Sequence, residues 1–418
     1  MHDEPRGCCD PDERALLNKQ EALALLLAAA RPVSESETIA TEDALGRVLA
    51  RSVTSAIDVP AWDNSAMDGY AVCTADLTDR EARLRVAQRI PAGSIGLPLE
   101  PGTAARIFTG APVPPGTDAV VIQEVCAREG DWVRVPAAGI APGTNIRRAG
   151  EDIQTGAEVI APGTRLGPQH LGLAASVGAA NLQVYRRLRV AIFSSGDELV
   201  MPGEPLAPGR IYNSNRFTLI GLLRGLGCDV TDLGQVQDTL EATVAALDRG
   251  GRVADLVVAS GGVSVGEEDH VKPAVERLGT LALWKIAIRP GKPLAFGHIG
   301  ATPFLGSPGN PVSLFATFCL FARPFILRLQ GVTGELTPTS LKVRAGFDWP
   351  SPDHRREFQR ARLQAGPDGE TEAVVYPSRS SGVLSSVAWA DGFVEIPERQ
   401  TLRRGDPVDF IPFDALLH

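Results

Sequence analysis

Between residues 189 and 329, apolar strand-like runs alternate with helix-like segments, and this alternation most constrains what the chain can fold into. Strand patterns are found at 189–194, 228–234, 255–260, 281–288, 293–298 and 302–306. Helix patterns are found at 214–226, 239–249, 270–278 and from Asn310-Pro311 to about Leu329. Strands that alternate with helices are typical of βαβ units around a mainly parallel sheet. We therefore predict a doubly wound α/β domain in this part of the chain.

The sequence on either side of this region has a different pattern of apolar, proline and glycine residues. Helix patterns cover residues 12–30, 41–51 (with Thr41 as the N-cap) and 168–180. From about 52 to 165, short apolar runs are separated by Pro/Gly clusters, which is typical of a small β domain. After Gly331 this pattern returns, with strand patterns at 341–347, 355–365, 372–376, 393–397 and 407–411. We therefore expect a second, C-terminal β domain.

Charge and composition exclude several classes of protein. The formal net charge is -9, and an acidic chain lacks the basic footprint that nucleic-acid binding needs. No stretch approaches the roughly 18–20 consecutive apolar residues of a membrane span. The six cysteines are scattered without a CxxC pair, which favours reduced thiols over disulfides or a zinc site. We therefore expect a soluble cytoplasmic protein that binds neither nucleic acid nor membrane.

Acidic residues follow three of the strands in the α/β region. Glu198 follows the first strand, Asp238 the second and Asp269 the third. Ligands in open α/β sheets bind outside the carboxyl ends of the strands, so we expect these side chains to converge at one edge. Carboxylates on glycine-rich loops can hold Mg²⁺, which shares its remaining positions with phosphate oxygens. Each acid taken alone is better explained as a solvated loop residue or a helix cap, and it is their convergence that favours a functional site.

Two further loops at this edge are suited to anions. The stretch Gly261–Gly266 exposes backbone N–H groups, although it is neither a dinucleotide fingerprint nor a P-loop. In Ser307-Pro-Gly-Asn-Pro311, Asn310 can cap a helix and Pro311 suits its first turn, and such a helix N-terminus attracts phosphate. A tight turn and a well-capped structural helix explain the same residues. The nearby cations Lys285, Arg289 and Lys292 favour an anionic ligand.

No Ser/His/Asp set, Gly-x-Ser-x-Gly elbow or hydride-transfer fingerprint is found in the sequence. The remaining class of chemistry is phosphate chemistry with a divalent metal and an anionic substrate.

Several collinear motifs resemble the MoeA-type molybdopterin molybdenumtransferases, the family that includes the gephyrin E domain. The resemblance runs from about residue 12 to the C-terminus. It is carried by Asp63-Asn-Ser-Ala-Met-Asp-Gly-Tyr-Ala71, Arg106-Ile-Phe-Thr-Gly-Ala-Pro-Val-Pro114, Arg147-Arg-Ala-Gly-Glu-Asp-Ile153, Ser195-Gly-Asp-Glu-Leu199, Asn213-Ser-Asn215, Ser260-Gly-Gly-Val-Ser-Val-Gly266 with Asp269, Pro290-Gly-Lys-Pro293 and Ser307-Pro-Gly-Asn-Pro-Val-Ser313. Ser195 stands where the family often has Thr, and Arg289 where it often has Lys.

The resemblance implies a four-part architecture of α/β and β domains. The parts are an N-terminal helical and linker domain (12–51 plus 146–185), a β-rich insertion domain (52–145), a central α/β molybdopterin-binding domain (186–330) and a C-terminal β-barrel (335–418). It implies a transferase of molybdenum cofactor biosynthesis, which inserts molybdenum from molybdate into adenylated molybdopterin and releases AMP with Mg²⁺. It also implies a homodimer with an inter-subunit active site, and the molybdopterin-adenylating protein and apo-molybdoenzymes as partners.

The resemblance also assigns roles to residues. Catalytic roles fall on Asp63, Thr109, Glu198, Asp238 and Asp269, of which Glu198, Asp238 and Asp269 would hold the metal. Asp63 and Thr109 of one chain would face the α/β edge of the other. Substrate binding falls on Ser195, on the loop residues Gly261, Gly262, Ser264 and Gly266, on the cations Lys285, Arg289 and Lys292, and on Pro308, Asn310 and Pro311.

Two alternatives are less well supported by the sequence. Adenylation of molybdopterin uses a related α/β domain, but the adenylating relatives are usually that domain alone, without the two β domains. A non-catalytic scaffold, as the gephyrin comparison suggests, would not need all three acids of the sheet edge.

Overall fold

The structure is a computed structural model, which describes residues 16–262 and 270–417. At its centre lies a six-stranded sheet. The spatial order of its strands is Asp229–Val236, Arg189–Ser195, Leu256–Ser260, Thr302–Ser307, Pro293–Ile299 and Gly279–Lys285. The first four strands are parallel, and Pro293–Ile299 pairs antiparallel with both of its neighbours. The prediction of a mainly parallel sheet is confirmed.

Helices cover both faces of this sheet, which explains why its strands are apolar without alternation. In Arg189–Ser195, Val190 and Ile192 point into one core, and Ala191 and Phe193 point into the other. The first core is covered by the helices Lys19–Ala29, Ser214–Gly225 and Pro311–Leu329, and the second by Leu240–Val253 and Val271–Leu278. The domain is therefore doubly wound, as predicted.

The helix starts follow local capping chemistry. The Asn213 side chain accepts a hydrogen bond from the Arg216 N–H (3.1 Å), and Thr239 accepts one from the Ala242 N–H (3.2 Å). The first helix begins at Lys19, where Asn18 and Glu21 form a reciprocal capping box. The sequence predicted a start at residue 12, and residues 12–15 lie outside the described part of the chain.

The helix Pro311–Leu329 is long and apolar enough to cross a membrane by length and composition alone, contrary to the sequence-based expectation. Its apolar window is 94% buried inside the fold, however. Its middle segment, Phe318–Ala322, has π-helical hydrogen bonding. The burial identifies it as the core helix of the α/β domain, and its composition follows from that position.

The insertion region forms a second six-stranded sheet. The spatial order of its strands is Ala119–Ile122, Gly69–Val72, Thr103–Ile107, Glu81–Ile90, Trp132–Pro136 and Ala127–Glu129. The chain enters and leaves this sheet through antiparallel pairs. These pairs are Ser36–Ala40 with Asn181–Tyr185, Val53–Thr54 with Glu158–Ile160, and Asn64–Ser65 with Ile146–Arg147. A helix follows at Pro168–Ser176, where the sequence predicted one over 168–180, so it ends four residues earlier than expected.

The prediction of a helix over residues 41–51 is wrong. Only Thr41–Asp43 form a short 3₁₀ turn, and its N-cap position is Ala40. The Thr41 hydroxyl instead donates to the Ala179 carbonyl (2.6 Å). Further along, Leu49 forms an antiparallel bridge with Val184. Pairing with a distant strand therefore overrides the weak helical preference of this segment.

The C-terminal region is a closed five-stranded barrel, which confirms the expected β-barrel. Its strands are Leu341–Ala345, Arg356–Ala365, Thr371–Val375, Gly392–Ile396 and Pro407–Pro412, and the ring closes because Arg356–Ala365 pairs with Gly392–Ile396. The short helices Ser385–Trp389 and Asp414–Leu417 complete it. A two-residue strand of the α/β domain, Ile288–Arg289, pairs with Arg356 and Glu357. Backbone hydrogen bonds therefore join the barrel to the α/β domain.

Candidate functional site

A cavity of about 740 Å³ opens at the carboxyl ends of the central strands, and we refer to it as the cleft. The register of the sheet aligns Ser194, Ser260 and Ser307 at this edge. The cleft brings together eight of the residues predicted from the sequence, namely Ser195, Glu198, Asp238, Gly261, Gly262, Pro308, Asn310 and Pro311. Loops distant in sequence therefore meet at one edge of the sheet, as expected.

The acidic side of the cleft is built around Asp238. The Ser195 hydroxyl donates to its Oδ1, and the Asp197 N–H donates to its Oδ2 at 3.4 Å. The Glu198 carboxylate lies close to Gly196. A Cβ on that glycine would come within 2.7 Å of Glu198 Oε2. Two carboxylates thus face the same cavity from neighbouring loops.

The chemistry of these two side chains can be compared with what Mg²⁺ requires. Among residues 16–262 and 270–417, no group of three His, Cys, Asp or Glu side chains is arranged to hold a metal ion. Mg²⁺ is commonly bound by only one or two carboxylates together with substrate phosphates. Glu198 and Asp238 meet that requirement, and the third predicted ligand, Asp269, lies outside the described residues.

The glycine loop begins in a backbone arrangement that only glycine fits. Gly261 has a φ of +85°, and a Cβ there would lie 2.4 Å from the Ser195 carbonyl oxygen. Its N–H donates to the Ser307 carbonyl (3.2 Å), so this amide is already used within the protein. Gly262 has a φ of +65°. The predicted phosphate-binding residues Ser264 and Gly266 lie outside the described part of the chain.

The start of the long helix differs in one respect from the prediction. Pro311 occupies the first turn, as expected, but the Asn310 side chain makes no capping hydrogen bond. The Val312 N–H is taken by the Ser381 carbonyl of the barrel (3.0 Å). The Asn310 side chain is therefore not committed to the cap, and the barrel closes directly onto this helix start.

Two asparagines in the cleft were not among the predicted site residues. Asn213 Nδ2 and Asn215 Oδ1 are buried without a hydrogen-bond partner among the described residues, while Asn215 Nδ2 donates to the Gly309 carbonyl (2.7 Å). A buried polar atom without a partner costs about 1–3 kcal/mol. In the sequence the two asparagines belong to Asn213-Ser-Asn215, one of the motifs that carry the family resemblance. The unsatisfied atoms suit a polar ligand.

The barrel contributes a buried arginine that no sequence pattern singled out. Arg360 is 1% exposed, and its Nε donates to Ser386 Oγ (2.9 Å). Its Nη2 donates to the carbonyls of Ser378 (2.6 Å) and Ser380 (3.2 Å). Burial lowers the pKa of Arg360. This side chain fixes the serine-rich segment 378–386, and Gly382 and Leu384 of that segment line the cleft.

The three predicted cations are not among the residues that line the cleft. Arg289 Nη1 donates to Asp353 Oδ2 (2.8 Å), and Arg355 contacts the same carboxylate. Burial raises the pKa of Asp353, but hydrogen bonds from Arg355 and Arg289 more than offset this and hold it below its ordinary value. Lys285 and Lys292 lie on the same strand-and-turn segment. Only Pro293, next to Lys292, reaches the lining.

Asp63 and Thr109 belong to two neighbouring sets of polar contacts on the insertion side, which we call the Asp63 and Thr109 cluster. Asp63 accepts hydrogen bonds from the Ala149 N–H (2.9 Å) and from Arg148 Nη1 (2.5 Å). Thr109 donates to Asp68 Oδ1 through both its N–H and its hydroxyl, each at 2.8 Å. The Ala149 N–H and Arg148 lower the pKa of Asp63, and the two Thr109 hydrogen bonds lower that of Asp68. Neither predicted residue lines the cleft of its own chain.

Comparison with known proteins accounts for nearly the whole chain. Three family models match in order: the MoeA N-terminal region (domain I and II) over residues 17–178, a probable molybdopterin binding domain over 191–328, and the MoeA C-terminal region (domain IV) over 342–413.

Individual relatives cover a similar extent. Molybdopterin molybdenumtransferase of Haemophilus influenzae is 39% identical over 92% of this chain and 95% of its own. Molybdopterin molybdenumtransferase 2 of Mycobacterium tuberculosis is 38% identical over 92% of this chain and 96% of its own. A crystal structure of the molybdopterin biosynthesis MoeA protein from Pyrococcus horikoshii superposes with a TM-score of 0.81, at 29% identity, over 94% of this chain and 99% of that one.

Proposed function

Because the chain belongs to the MoeA family of molybdopterin molybdenumtransferases, and is thus a transferase of molybdenum cofactor biosynthesis, we propose that it inserts molybdenum from molybdate into adenylated molybdopterin and releases AMP with Mg²⁺. The observation that carries this proposal is the cleft. It joins two carboxylates, two incompletely bonded asparagines and the start of a long helix at one sheet edge.

The carboxylates would hold the metal. Glu198 and Asp238 are the described residues that would bind Mg²⁺, and Asp269 is the third ligand that we propose. Mg²⁺ bound there would supply Lewis-acid stabilisation of charge on the phosphoanhydride oxygens. The contacts from Ser195 and the Asp197 N–H fix the Asp238 carboxylate, so that little reorganisation is needed when substrate arrives.

The remaining cleft residues would bind and orient the substrate. The Asn213 amide and the Asn215 carbonyl oxygen have no hydrogen-bond partner among the described residues, so they can serve as a donor and an acceptor for polar groups of the pterin or the nucleotide. The phosphates would contact a surface of the cleft formed by Ser195, Gly261, Gly262, Pro308, Asn310 and Pro311. We propose that Ser264 and Gly266 complete this surface. Such positioning favours displacement at phosphorus by holding the reacting groups in line.

We place the molybdate or substrate phosphate near the cations Lys285, Arg289 and Lys292. For Arg289 this role requires sharing the guanidinium with Asp353, because the two are 2.8 Å apart. Because Arg355 pairs with the same carboxylate, Arg289, Asp353 and Arg355 together carry a net positive charge. The proposal is therefore compatible with the ion pair.

We further propose a homodimer in which the Asp63 and Thr109 cluster of one chain faces the cleft of its partner. Supporting this, the loop carrying Asp63 exposes large apolar side chains, with Trp62 57% and Met67 46% exposed. Exposed apolar groups beside polar residues are typical of contact surfaces. The molybdopterin-adenylating protein and apo-molybdoenzymes are proposed partners, and the cysteine pattern favours a cytoplasmic location.

The test is AMP release from adenylated molybdopterin, measured with and without molybdate and Mg²⁺. We expect release that requires the metal and is coupled to molybdate. Asp238→Asn should lower the rate by at least about a hundredfold, in the range of lost electrostatic stabilisation of a transition state. Asp248→Asn is the matched control, because Asp248 is a helix residue with a half-exposed side chain that pairs only with Arg252 in the described structure.

Two outcomes would contradict the proposal. Tight substrate binding by the wild type without AMP release would indicate a carrier or scaffold. Equal rates for Asp238→Asn and Asp248→Asn would show that the acidic side of the cleft does not take part.

A further inference from the structure

A second cavity, of about 780 Å³, lies at the junction of the linker region, the α/β domain and the segment that leads to the barrel. We call it the arginine pocket. Its lining includes the charged residues Arg165, Arg323 and Glu335, the helix end Gly225 and, at its mouth, Thr339. It shares none of these residues with the cleft.

The arginine pocket lies far from the cleft. The helix Ser214–Gly225 links the two cavities, because its N-cap Asn213 lines the cleft and its last residue lines the arginine pocket. At 1.5 Å per residue, these two helix ends are roughly 18 Å apart. A ligand in the arginine pocket would therefore not occupy the substrate site.

Two guanidinium groups from different parts of the chain share this cavity. Arg323 is 8% exposed and donates from Nη1 to the Leu336 carbonyl (3.1 Å). Arg165 donates from Nη2 to the Gly225 carbonyl (3.3 Å), and its Nε is buried without a hydrogen-bond partner among the described residues. A buried, charged donor without an acceptor is costly, and so are two like charges in one cavity.

The two charges are close enough to affect each other. Burial lowers the pKa of Arg165, and burial together with the Arg165 charge lowers the pKa of Arg323. The pocket also contains a carboxylate, that of Glu335, but both the N–H and the hydroxyl of Thr337 donate to it. An anion placed between the guanidiniums would lower the repulsion and satisfy the free donor.

Helix capping explains only part of this arrangement. Arg165 does satisfy a carbonyl at the end of the helix Ser214–Gly225, where a cation is favourable. Capping uses one of the five N–H donors of a guanidinium and leaves the buried Nε unexplained.

We propose that the arginine pocket binds a small oxyanion, the phosphate or carboxylate group of a metabolite, between Arg165 and Arg323. The apolar side chains of Leu166, Leu327, Val332 and Leu336 form the wall that would receive the body of the molecule. Because linker, α/β domain and barrel connection all contribute, the bound anion would hold these parts of the chain together. A ligand that binds only the folded state raises its thermal stability.

The test measures the thermal midpoint of the full chain in sodium phosphate, in sodium acetate and in sodium chloride at equal ionic strength. The phosphate and acetate arms distinguish the two oxyanion classes. We expect one of them to raise the wild-type midpoint above its value in chloride by about 3 °C at a hundredfold excess over Kd. Arg165→Gln should lose this additional shift. Arg224→Gln, an exposed arginine in the last turn of the same helix, should keep it.

A second variant does not alter the buried arginines. Thr339 is exposed at the mouth of the pocket, and Thr339→Glu places a negative charge there, so this variant should also lose the shift. An equal oxyanion shift in the wild type, Arg165→Gln and Thr339→Glu would overturn the proposal and assign the effect to another site. A wild type that gains nothing over chloride in either salt would also overturn it.

Discussion

Replacing Gly261 by alanine tests the backbone arrangement on which the cleft depends. The residue has a φ of +85°, and a left-handed backbone costs a residue with a Cβ about 1–2 kcal/mol. The added Cβ would lie 2.4 Å from the Ser195 carbonyl oxygen, which is backbone of the adjacent strand and cannot move aside like a side chain. Forced overpacking adds about 1–3 kcal/mol. Gly261→Ala should therefore lower the free energy of unfolding by about 2–5 kcal/mol.

Gly300→Ala provides the matched control. Gly300 has a φ of +58° in a turn of the same sheet, but nothing lies within 4 Å of the position that a Cβ would take, so the substitution should cost only the backbone contribution of about 1–2 kcal/mol. Urea unfolding followed by circular dichroism measures both variants, and the midpoints are comparable where the m-values agree. Equal losses of unfolding free energy in the two variants would refute the argument that glycine is required at 261 by close backbone packing as well as by its positive φ. Because Ser195 also donates to Asp238, we expect Gly261→Ala, but not Gly300→Ala, to reduce AMP release.

Two further predictions concern charged groups at the barrel. The pKa of Asp353 is held below its ordinary value of 3.8 by Arg355 and Arg289 against the effect of burial, so its contribution to stability is present above about pH 4 and lost as the pH falls further. Asp353→Asn should therefore lower the free energy of unfolding at pH 7. The difference in this free energy between variant and wild type, measured by urea unfolding, should shrink as the pH falls below 3.8. A difference that does not change with pH would contradict this reasoning. Arg360→Met should lower the free energy of unfolding by about 1–3 kcal/mol, because it leaves the Ser386 hydroxyl and two carbonyls without their buried donor. We expect faster proteolytic cleavage within 378–386 in this variant. An unchanged cleavage rate would show that other contacts hold this segment in place.

Local patterns in the sequence determined the secondary structure and much of the topology. The alternation of apolar runs and helix patterns predicted the parallel sheet, because strands buried on both faces must be continuously apolar. The position of Glu198 and Asp238 directly after strands predicted that they meet, because the carboxyl ends of parallel strands share an edge. Pro311 marked the start of the long helix through local chemistry alone, because its fixed backbone angle suits the first turn.

Only the tertiary structure decided which side chains are available to a ligand. Arg289 has the sequence context of an anion-binding residue, and only the fold shows that Asp353, 64 residues away, takes one of its hydrogen-bond donors. The segment 41–51 has a weak helical pattern, yet Leu49 pairs with the distant Val184. Arg165 and Arg323 lie in distant parts of the sequence and share one cavity. Hydrogen bonds and burial between distant parts of the chain depend on the packing of the domains, so periodicity and local spacing do not reveal them.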